Sequence, residues 1–566
     1  MVKKVQGYPL PLGVEVKGDT VNFAAAVPAG KDLALLLYEK GADKPAYRFD
    51  MPEEEAVGEI RFLALEGLLP DKYEYLYQTG KKLWIDPYAK ELTGAGGFGE
   101  KRDIQSGQVR AKLTVSAYDW EGDERLHIPA HEVIAYSLHV RGFTRHSSSG
   151  VKHKGTFLGV TEKIPYLKDL GINQIQCMPV YEFEEQVKGY TNYWGYGKGY
   201  FFAPKAAYAS GKDAAKELKD MIKLCHRAGI EVVLEMPFVS GILPQTALEC
   251  LRYYMMEYHV DGFVVNPYHV PWDMVKGDPL LKDGKMLCQD DGFQNVMRRF
   301  LKGDEGMINP VMWALSHHSG EDGKYNYITS HNGFTLCDLV SYDGKHNEAN
   351  GERNQDGTDY NYSWNCGAEG PSRKKAVVRL RKNQVRNAFF LLLTAQGTPC
   401  LLAGDEFGNS QKGNNNAYCQ DNELSWLNWG KLKADDSLFR YVKGLIALRK
   451  AHPSLHREEP LRGMDTTACG IPDVSYHGEN AWQVPEHVSS RQLGVLYYDG
   501  AGTDICFAAY NMHWLNHDFA LPALPGGKKW YEVMRTGEAA ERDEKLLEDQ
   551  RMAEVEARSV LFLVGR

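Results

Sequence analysis

The residues of this 566-residue chain best suited to chemistry stand in five short runs. Leu234-Glu235-Met236-Pro237 ends an apolar run on one acid. Gly262-Phe263-Val264-Val265-Asn266 and Ile328-Thr329-Ser330-His331-Asn332 end on amides, the second with a histidine before it. Lys285-Met286-Leu287-Cys288-Gln289 ends on an amide followed by Asp290 and Asp291. Glu235 with Asp290 or Asp291 could form a general acid–base pair. The carboxamides of Asn266, Gln289 and Asn332 offer no anionic oxygen for covalent catalysis and are left with hydrogen bonding. His331 can donate to a ligand hydroxyl or be a satisfied strand-end histidine. The fifth run, Tyr190-Thr191-Asn192-Tyr193-Trp194-Gly195-Tyr196, offers flat aromatic faces with polar edges, a shape that suits sugar rings. Its other reading is a loop packed on its own rim. Asn332-Gly333 is prone to deamidation, which would restore a single carboxylate.

These runs need elements to hold them. Residues 1–118 read as short alternating strands (DTVNFAAAV, LALLLYEK, EIRFLALEG, KYEYLYQTG) ended by Gly, Pro or Asp turns, the pattern of a β-sandwich. From 119 to 455 strands alternate with helices. The strands are EVIAYSLHV, INQIQCMPV, IEVVLEMPF, DGFVVNPY, KMLCQ, YNYITSHN and TPCLLAGDEF, with a sixth that no run marks. Helices are expected at VTEKIPYLKDLG, AAKELKDMIKLCHRAG, TALECLRYYMMEYHV, PWDMVKGDPLLKDG, FQNVMRRFLKGDEG, RKKAVVRLRKNQVRNAFFLLLTAQG and LFRYVKGLIALRKAHP. Such alternation predicts a (β/α)8 TIM barrel, which carries its sites at the C-terminal strand ends. Gly229 and Gly397 are expected as left-handed helix caps. Residues 456–566 return to short strands and predict a C-terminal β-sandwich. The fold class expected is therefore multidomain α/β, with a central barrel between two β-sandwich domains.

Composition narrows the function. A net charge of −9 and a pI near 6.1 argue against an extended basic surface for nucleic acid. No apolar run approaches the roughly 20 residues that span a bilayer, and the N-terminus has no apolar secretory core. The 10 cysteines are scattered without a C-x-x-C pair, so neither a metal site nor a disulfide framework is expected. Most are expected as buried reduced thiols, in a cytoplasmic protein.

The stretch YITSHNGFTLCDLVSYDGKHNEANGERNQDGTDYNYSW resembles the seventh barrel strand and following loop of the isoamylase and glycogen-debranching branch of the α-amylase superfamily. VNFAAAVPAGKDLALLLYE and WIDPYAKELTG resemble that branch's N-terminal carbohydrate-binding-like module, and IPDVSYHGENAW its C-terminal domain. The resemblance implies glycoside hydrolase chemistry: a carboxylate nucleophile and a carboxylic acid roughly 5–5.5 Å apart, with a third carboxylate supporting the transition state. No cofactor or metal is implied.

At each of those positions the chain departs from the family pattern. The nucleophile position is Asn266, and the arginine two residues before it is Val264. The general-acid position falls on Gln289, in a shortened segment whose register is open by a few residues. The stabilising position is Asn332, and the Asn-His after strand three is absent, although Glu235 remains. Asp405 and Glu406 match the family text and are expected to be structural, as are His139 and Arg141. His346–Asn354 and Trp364–Gly367 match the loop over the site. The substrate-binding set expected is Tyr193, Trp194, Tyr196, His331 and Glu235. These departures imply a pseudoenzyme of α-glucan metabolism, binding glycogen- or starch-derived glucan or pairing with an active isoamylase-type enzyme as a hetero-oligomer. Two alternatives are a debranching α-1,6-glucosidase with non-standard carboxylates, and an interaction scaffold that binds no sugar.

Overall fold

The computed structural model describes residues 2–566 apart from 114–116, 188, 240, 321–322, 501, 503 and 538–543. Ser240, at the end of the third strand's text, lies outside the described residues. In the first 113 residues a four-stranded and a six-stranded antiparallel sheet share one core. All four N-terminal runs read as strands are strands, at Thr20–Ala26, Ala34–Glu39, Ile60–Glu66 and Tyr73–Thr79. Alternation sends Phe23, Leu35, Leu37, Leu63 and Tyr75 into that core, where Phe23 meets Tyr75 edge-on at 5.6 Å.

The centre is a parallel barrel of the (β/α)8 class. Its ring runs Lys285–Leu287, Gly262–Val265, Glu231–Met236, Gln174–Cys177, Ala135–Leu138 and Cys400–Leu402, every pair parallel. Val133, Ala135, Val233, Val264, Leu287, Tyr325, Tyr327 and Cys400 fill the interior. The ring closes through a short segment. Cys288 bridges to Lys324, and Asn326 to Pro399, with Asn326 N–H donating to Thr398 O at 2.7 Å and Cys400 N–H to Asn326 O at 2.8 Å.

Among the described residues no strand fills the sixth place. After Lys285–Leu287 the chain makes helix Gly292–Lys302, stops it with Gly303 at φ +88, and makes a second, unanticipated helix, Ile308–Ser316. The seventh-strand text YNYITSHN is not a continuous strand either. Side chains hold it instead: Arg298 Nε donates to Ile328 O at 2.7 Å, Tyr327 OH to Asp291 at 2.8 Å, and Thr329 Oγ1 to Asp405.

Smaller departures have local causes. Helix 160–171 divides into Phe157–Thr161 and Ile164–Leu170, the latter opening on Pro165. The eighth strand shortens to Cys400–Leu402 because Gly404, at φ +95, turns the chain. Gly229 is left-handed as expected, at φ +73. Gly397 is not: helix Lys375–Leu393 ends at Thr394, and a Cβ at 397 would come within 2.2 Å of Ser319 Oγ, so packing demands the glycine.

The C-terminal residues form a six-stranded antiparallel sheet and a two-stranded one. Strand Ile505–Asn511 is buried on both faces. Cys506, Ala508 and Tyr510 join the barrel core, and Ile505, Phe507 and Ala509 the domain's own core. All ten cysteines are free, and Cys177, Cys400 and Cys506 are buried. No helix among the described residues is long and apolar enough to cross a membrane.

A buried ionic cluster ties the loop between the N-terminal strands Leu92–Thr93 and Arg110–Lys112 to the barrel. Arg102 bonds Glu182, Glu185 and the carbonyls of Ala95 and Phe183, while Lys205 pairs with both glutamates. Burial pushes the Glu182 carboxyl up, yet Lys205 and Arg102 together hold it below its ordinary range. Removing one partner of such a group costs about 3–5 kcal/mol because the remaining charges stay buried. Arg102→Ala is accordingly expected to lower the apparent thermal midpoint by several degrees, with Arg102→Lys recovering part of the loss. Equal melting of the alanine variant and the parent in a calorimetric scan would refute this role.

Candidate functional site

At the C-terminal strand ends lies a cleft of ≈ 850 Å³ whose lining includes Trp194, Tyr196, Glu235, Asn266, Gln289, Asp290, His331 and Asn332. It thus brings together the expected site residues except Tyr193 and Asp291. Tyr193 is 2% exposed and stacks on His139 at 4.1 Å, in the wall behind the cleft. Its amide and that of Trp194 both donate to Tyr418 O, which fixes this stretch of backbone.

The aromatic run is shaped by Asn192. Its Oδ1 accepts from Gly195 N–H at 3.0 Å and its Nδ2 donates to Tyr196 O at 2.9 Å. Gly195 sits at φ +86 against the Phe183 ring, where a Cβ would approach within 2.4 Å. The turn therefore presents Trp194 and Tyr196 to the cleft. His331 meets Trp194 edge-on at 4.9 Å and stacks near Tyr196 at 5.7 Å.

Glu235, Tyr196 and His331 form one hydrogen-bonded chain. Tyr196 OH lies against Glu235 Oε1 and 2.7 Å from His331 Nε2, and Gln176 Nε2 donates to Glu235 Oε2 at 3.5 Å. Tyr196 has one hydroxyl proton and two neighbours able to accept it. With Glu235 ionised, the phenol donates to the carboxylate and His331 must carry its proton on Nε2. With Glu235 protonated, the acid donates to the phenol oxygen and the phenol donates to a bare Nε2. Burial raises Glu235 to about 7, its hydrogen bonds notwithstanding. Burial, with His139 nearby, lowers His331 to about 4, so the imidazole is neutral. Burial and Glu235 raise the Tyr196 phenol well above its ordinary value.

The three amides have different surroundings. Asn266 is exposed, and its Oδ1 accepts from Tyr268 N–H at 3.0 Å, closing a local turn. Gln289 and Asn332 are exposed on the cleft wall. Beneath them Val264 belongs to the apolar barrel interior. Asp290 pairs with Lys324 at 3.1 Å and accepts from Gly292 N–H. Burial pushes its carboxyl up, but those bonds leave it below its ordinary value. Asp291 is bound by Tyr327 at the ring closure. Glu235, Asp290 and Asp291 thus each have a partner of their own.

Asp405 and Glu406 are buried and structural. Asp405 accepts from Thr329 Oγ1 and Leu336 N–H, and Glu406 from Tyr136, Tyr166 and Gly404 N–H. His139 caps its helix by accepting from Gly142 N–H, and Arg141 forms a two-pronged pair with Asp421. Asn347, Asn350, Asn361 and Asn415 knit the long loop through side-chain amides. Sequence reasoning missed Tyr268 and His269. Tyr268 stands 94% exposed at the cleft mouth, and His269 Nδ1 bonds Phe238 O at 2.8 Å. Nothing in NPYHVP signals either placement. Among the described residues, the one group of three potential metal ligands lies away from the cleft.

The α-amylase catalytic domain family matches residues 138–238. Isoamylase 3, chloroplastic, of Oryza sativa subsp. japonica is 30% identical over 94% of this chain and 83% of its own length. The glycogen debranching enzyme of Erwinia tasmaniensis is 32% identical over 80% of the chain and 85% of its length. The rice alignment spans 664 positions, more than this chain's 566 residues, so the relative carries segments that this chain lacks. The catalytic module of a multi-modular glycogen-degrading pneumococcal virulence factor superposes with a TM-score of 0.77 at 18% identity. That match covers 99% of this chain and 97% of the module.

The raised Glu235 carboxyl has a measurable consequence. Its folded-state pKa of about 7 lies above the ordinary 4.5, so the folded protein holds this proton more tightly than the unfolded chain. The resulting stability is full below about pH 4.5 and is lost as pH rises through 7. Glu235→Gln keeps the neutral shape and should remove this decline, on the order of 2 kcal/mol. Denaturant melts of parent and variant at pH 5 and pH 8 check it, and identical pH dependence would rule it out.

Proposed function

Because this chain belongs to the isoamylase and glycogen-debranching branch of the α-amylase family, we propose that it serves α-glucan metabolism by holding an α-glucan without cleaving it. The observation that carries this reading is the chemistry of the cleft wall: Asn266, Gln289 and Asn332 face a roomy, aromatic-flanked cleft where a hydrolase needs carboxylates. Acid–base assistance alone is worth about 10²–10⁴ in rate, and without a nucleophile there is no glycosyl–enzyme intermediate. Neutral amides remain good partners for sugar hydroxyls, each donating and accepting. Tyr268 adds an exposed ring, Trp194 lines the wall, and Tyr196, His331 and Glu235 add polar groups to the same lining. Ten free cysteines fit work in a reducing compartment such as the cytoplasm.

Incubation with glycogen or amylopectin, counting reducing ends beside affinity electrophoresis in the same glucans, tests the reading. The expected outcome is retarded migration with no chain release beyond an empty-vector preparation. Release well above that background would overturn it. Neither release nor retardation would favour an interaction scaffold, including one paired with an active isoamylase-type enzyme. Asn266→Asp with Asn332→Asp is expected to remain inactive, since Val264 still replaces the supporting arginine. Tyr268→Ala should weaken retardation several-fold without changing melting, because the ring is solvent-exposed and stacking contributes roughly 0.5–1.5 kcal/mol. Unchanged retardation would remove Tyr268 from the binding surface.

A further inference from the structure

Far along the chain from the cleft residues, three side chains converge at the seam between the barrel and the C-terminal sheet. His452 follows the last barrel helix, Ser437–Ala451. Asp504 and Cys506 flank Ile505 at the start of strand Ile505–Asn511, so the strand's alternation turns both toward the barrel. His452 Nδ1 lies 2.6 Å from Asp504 Oδ1 and 3.3 Å from Cys506 Sγ, and Sγ lies 3.4 Å from Oδ1. All three residues are buried.

We propose that His452 Nδ1, Asp504 Oδ1 and Cys506 Sγ bind one divalent cation of the zinc class, fastening the C-terminal sheet to the barrel. Bonds of about 2.0–2.3 Å in tetrahedral geometry place neighbouring ligand atoms about 3.3–3.5 Å apart. The two edges at sulfur, 3.3 and 3.4 Å, are within about 0.2 Å of the value for a thiolate paired with nitrogen or oxygen, and the nitrogen–oxygen edge of 2.6 Å opens the most. One imidazole, one carboxylate and one thiolate suit zinc or cobalt over magnesium or calcium, which prefer oxygen alone. A dication with two anionic ligands leaves no net charge in a buried place, whereas an isolated carboxylate there would be costly.

The surroundings are built to hold the ligands in place. Ser454 N–H donates to Asp504 Oδ2 at 3.0 Å and fixes the carboxylate from behind. The Phe562 ring walls His452 at 5.7 Å. The Ser454 side chain is fully buried beside the cluster and hydrogen-bonds both Asp504 and Cys506, which steadies two of the three ligands. About a tenth of the His452 and Asp504 side chains stays exposed, which gives an ion access. Binding takes the thiolate, so the Cys506 proton leaves to solvent and affinity must fall in acid.

The full-length protein, stripped with chelator and dialysed, would be titrated with Co²⁺ and then Zn²⁺. The expected result is one ion per chain, a thiolate-to-cobalt charge-transfer band, proton release on binding, and a higher thermal midpoint with zinc. Cys506→Ser should abolish the band and weaken binding at least tenfold. Should that variant fail to fold, Asp504→Asn provides the same comparison, with the titration of the unaltered protein standing on its own. A saturating Co²⁺ titration without the charge-transfer band would overturn the proposal, as would equal affinity in Cys506→Ser or Asp504→Asn. Glucan binding plays no part in these readouts.

Discussion

The closing of the parallel ring is the constraint on which the rest of the molecule depends. A parallel barrel leaves no free edge only if each strand finds a neighbour on both sides, because unpaired backbone groups in a buried ring are costly. Here the strand Lys285–Leu287 and the strand Cys400–Leu402 are joined, among the described residues, with one stave fewer than the regular count. The chain does this with the short segment at Lys324–Asn326, bridged to Cys288 and Pro399. What the ladder no longer supplies, side chains do. Arg298 holds Ile328, Asp291 holds Tyr327, and Asp405 holds Thr329. Polar groups near the strand ends are thereby committed to closure, and Asp291, bound by Tyr327, is the clearest example.

Closure also decides what the strand ends can present. The residues after Lys285–Leu287 come round to the wall beside His331 and Asn332, so Gln289 and Asp290 enter the same cleft as Glu235 and Asn266. Glu235 has no cation beside it; its chain of partners is phenol, imidazole and amide. Burial without a cation raises its pKa, and the chain can take a proton at either end. That arrangement suits a polar lining able to match a ligand's hydroxyls as donor or acceptor. It does not suit a nucleophile, which must be ionised and unencumbered.

The sequence made the three-part architecture legible because its periodicities are clean. Period-two runs such as KYEYLYQTG and SVLFLVGR became strands of the flanking sheets, and βα alternation marked the barrel. The strand ends were legible through resemblance alone, since nothing in the spacing of Asn266, Gln289 and Asn332 says that they meet. The missing stave showed only as a sixth strand that no run marks, because the helix Ile308–Ser316 has an apolar text that periodicity cannot distinguish from a buried strand. Tyr193 and Tyr196 stand three residues apart in one loop, yet one is wall and the other cleft. The backbone bonds to Tyr418 fix that stretch, and they join residues more than two hundred positions apart. His452 with Asp504 and Cys506 was illegible for the same reason: the seam between domains, not a local motif, brings them together.

Val264 and Asn266 are best understood as one change. In the family pattern an arginine at the first position holds the carboxylate at the second ionised, and each charge is tolerable because the other is there. With an amide at 266, an arginine at 264 would be a cation in an apolar interior without its counter-ion, and leaving one member of such a pair unmatched costs about 3–5 kcal/mol. Valine removes that penalty and joins Val233, Leu287 and Tyr325 in the barrel interior. The same logic runs in reverse. A carboxylate placed at 266 alone would stand above the apolar barrel interior at Val264 with no arginine there to hold it ionised, and its pKa would rise rather than fall. An aspartate at 266 therefore requires a cation at 264 as well if it is to be held ionised, beside a cleft wall that carries Gln289.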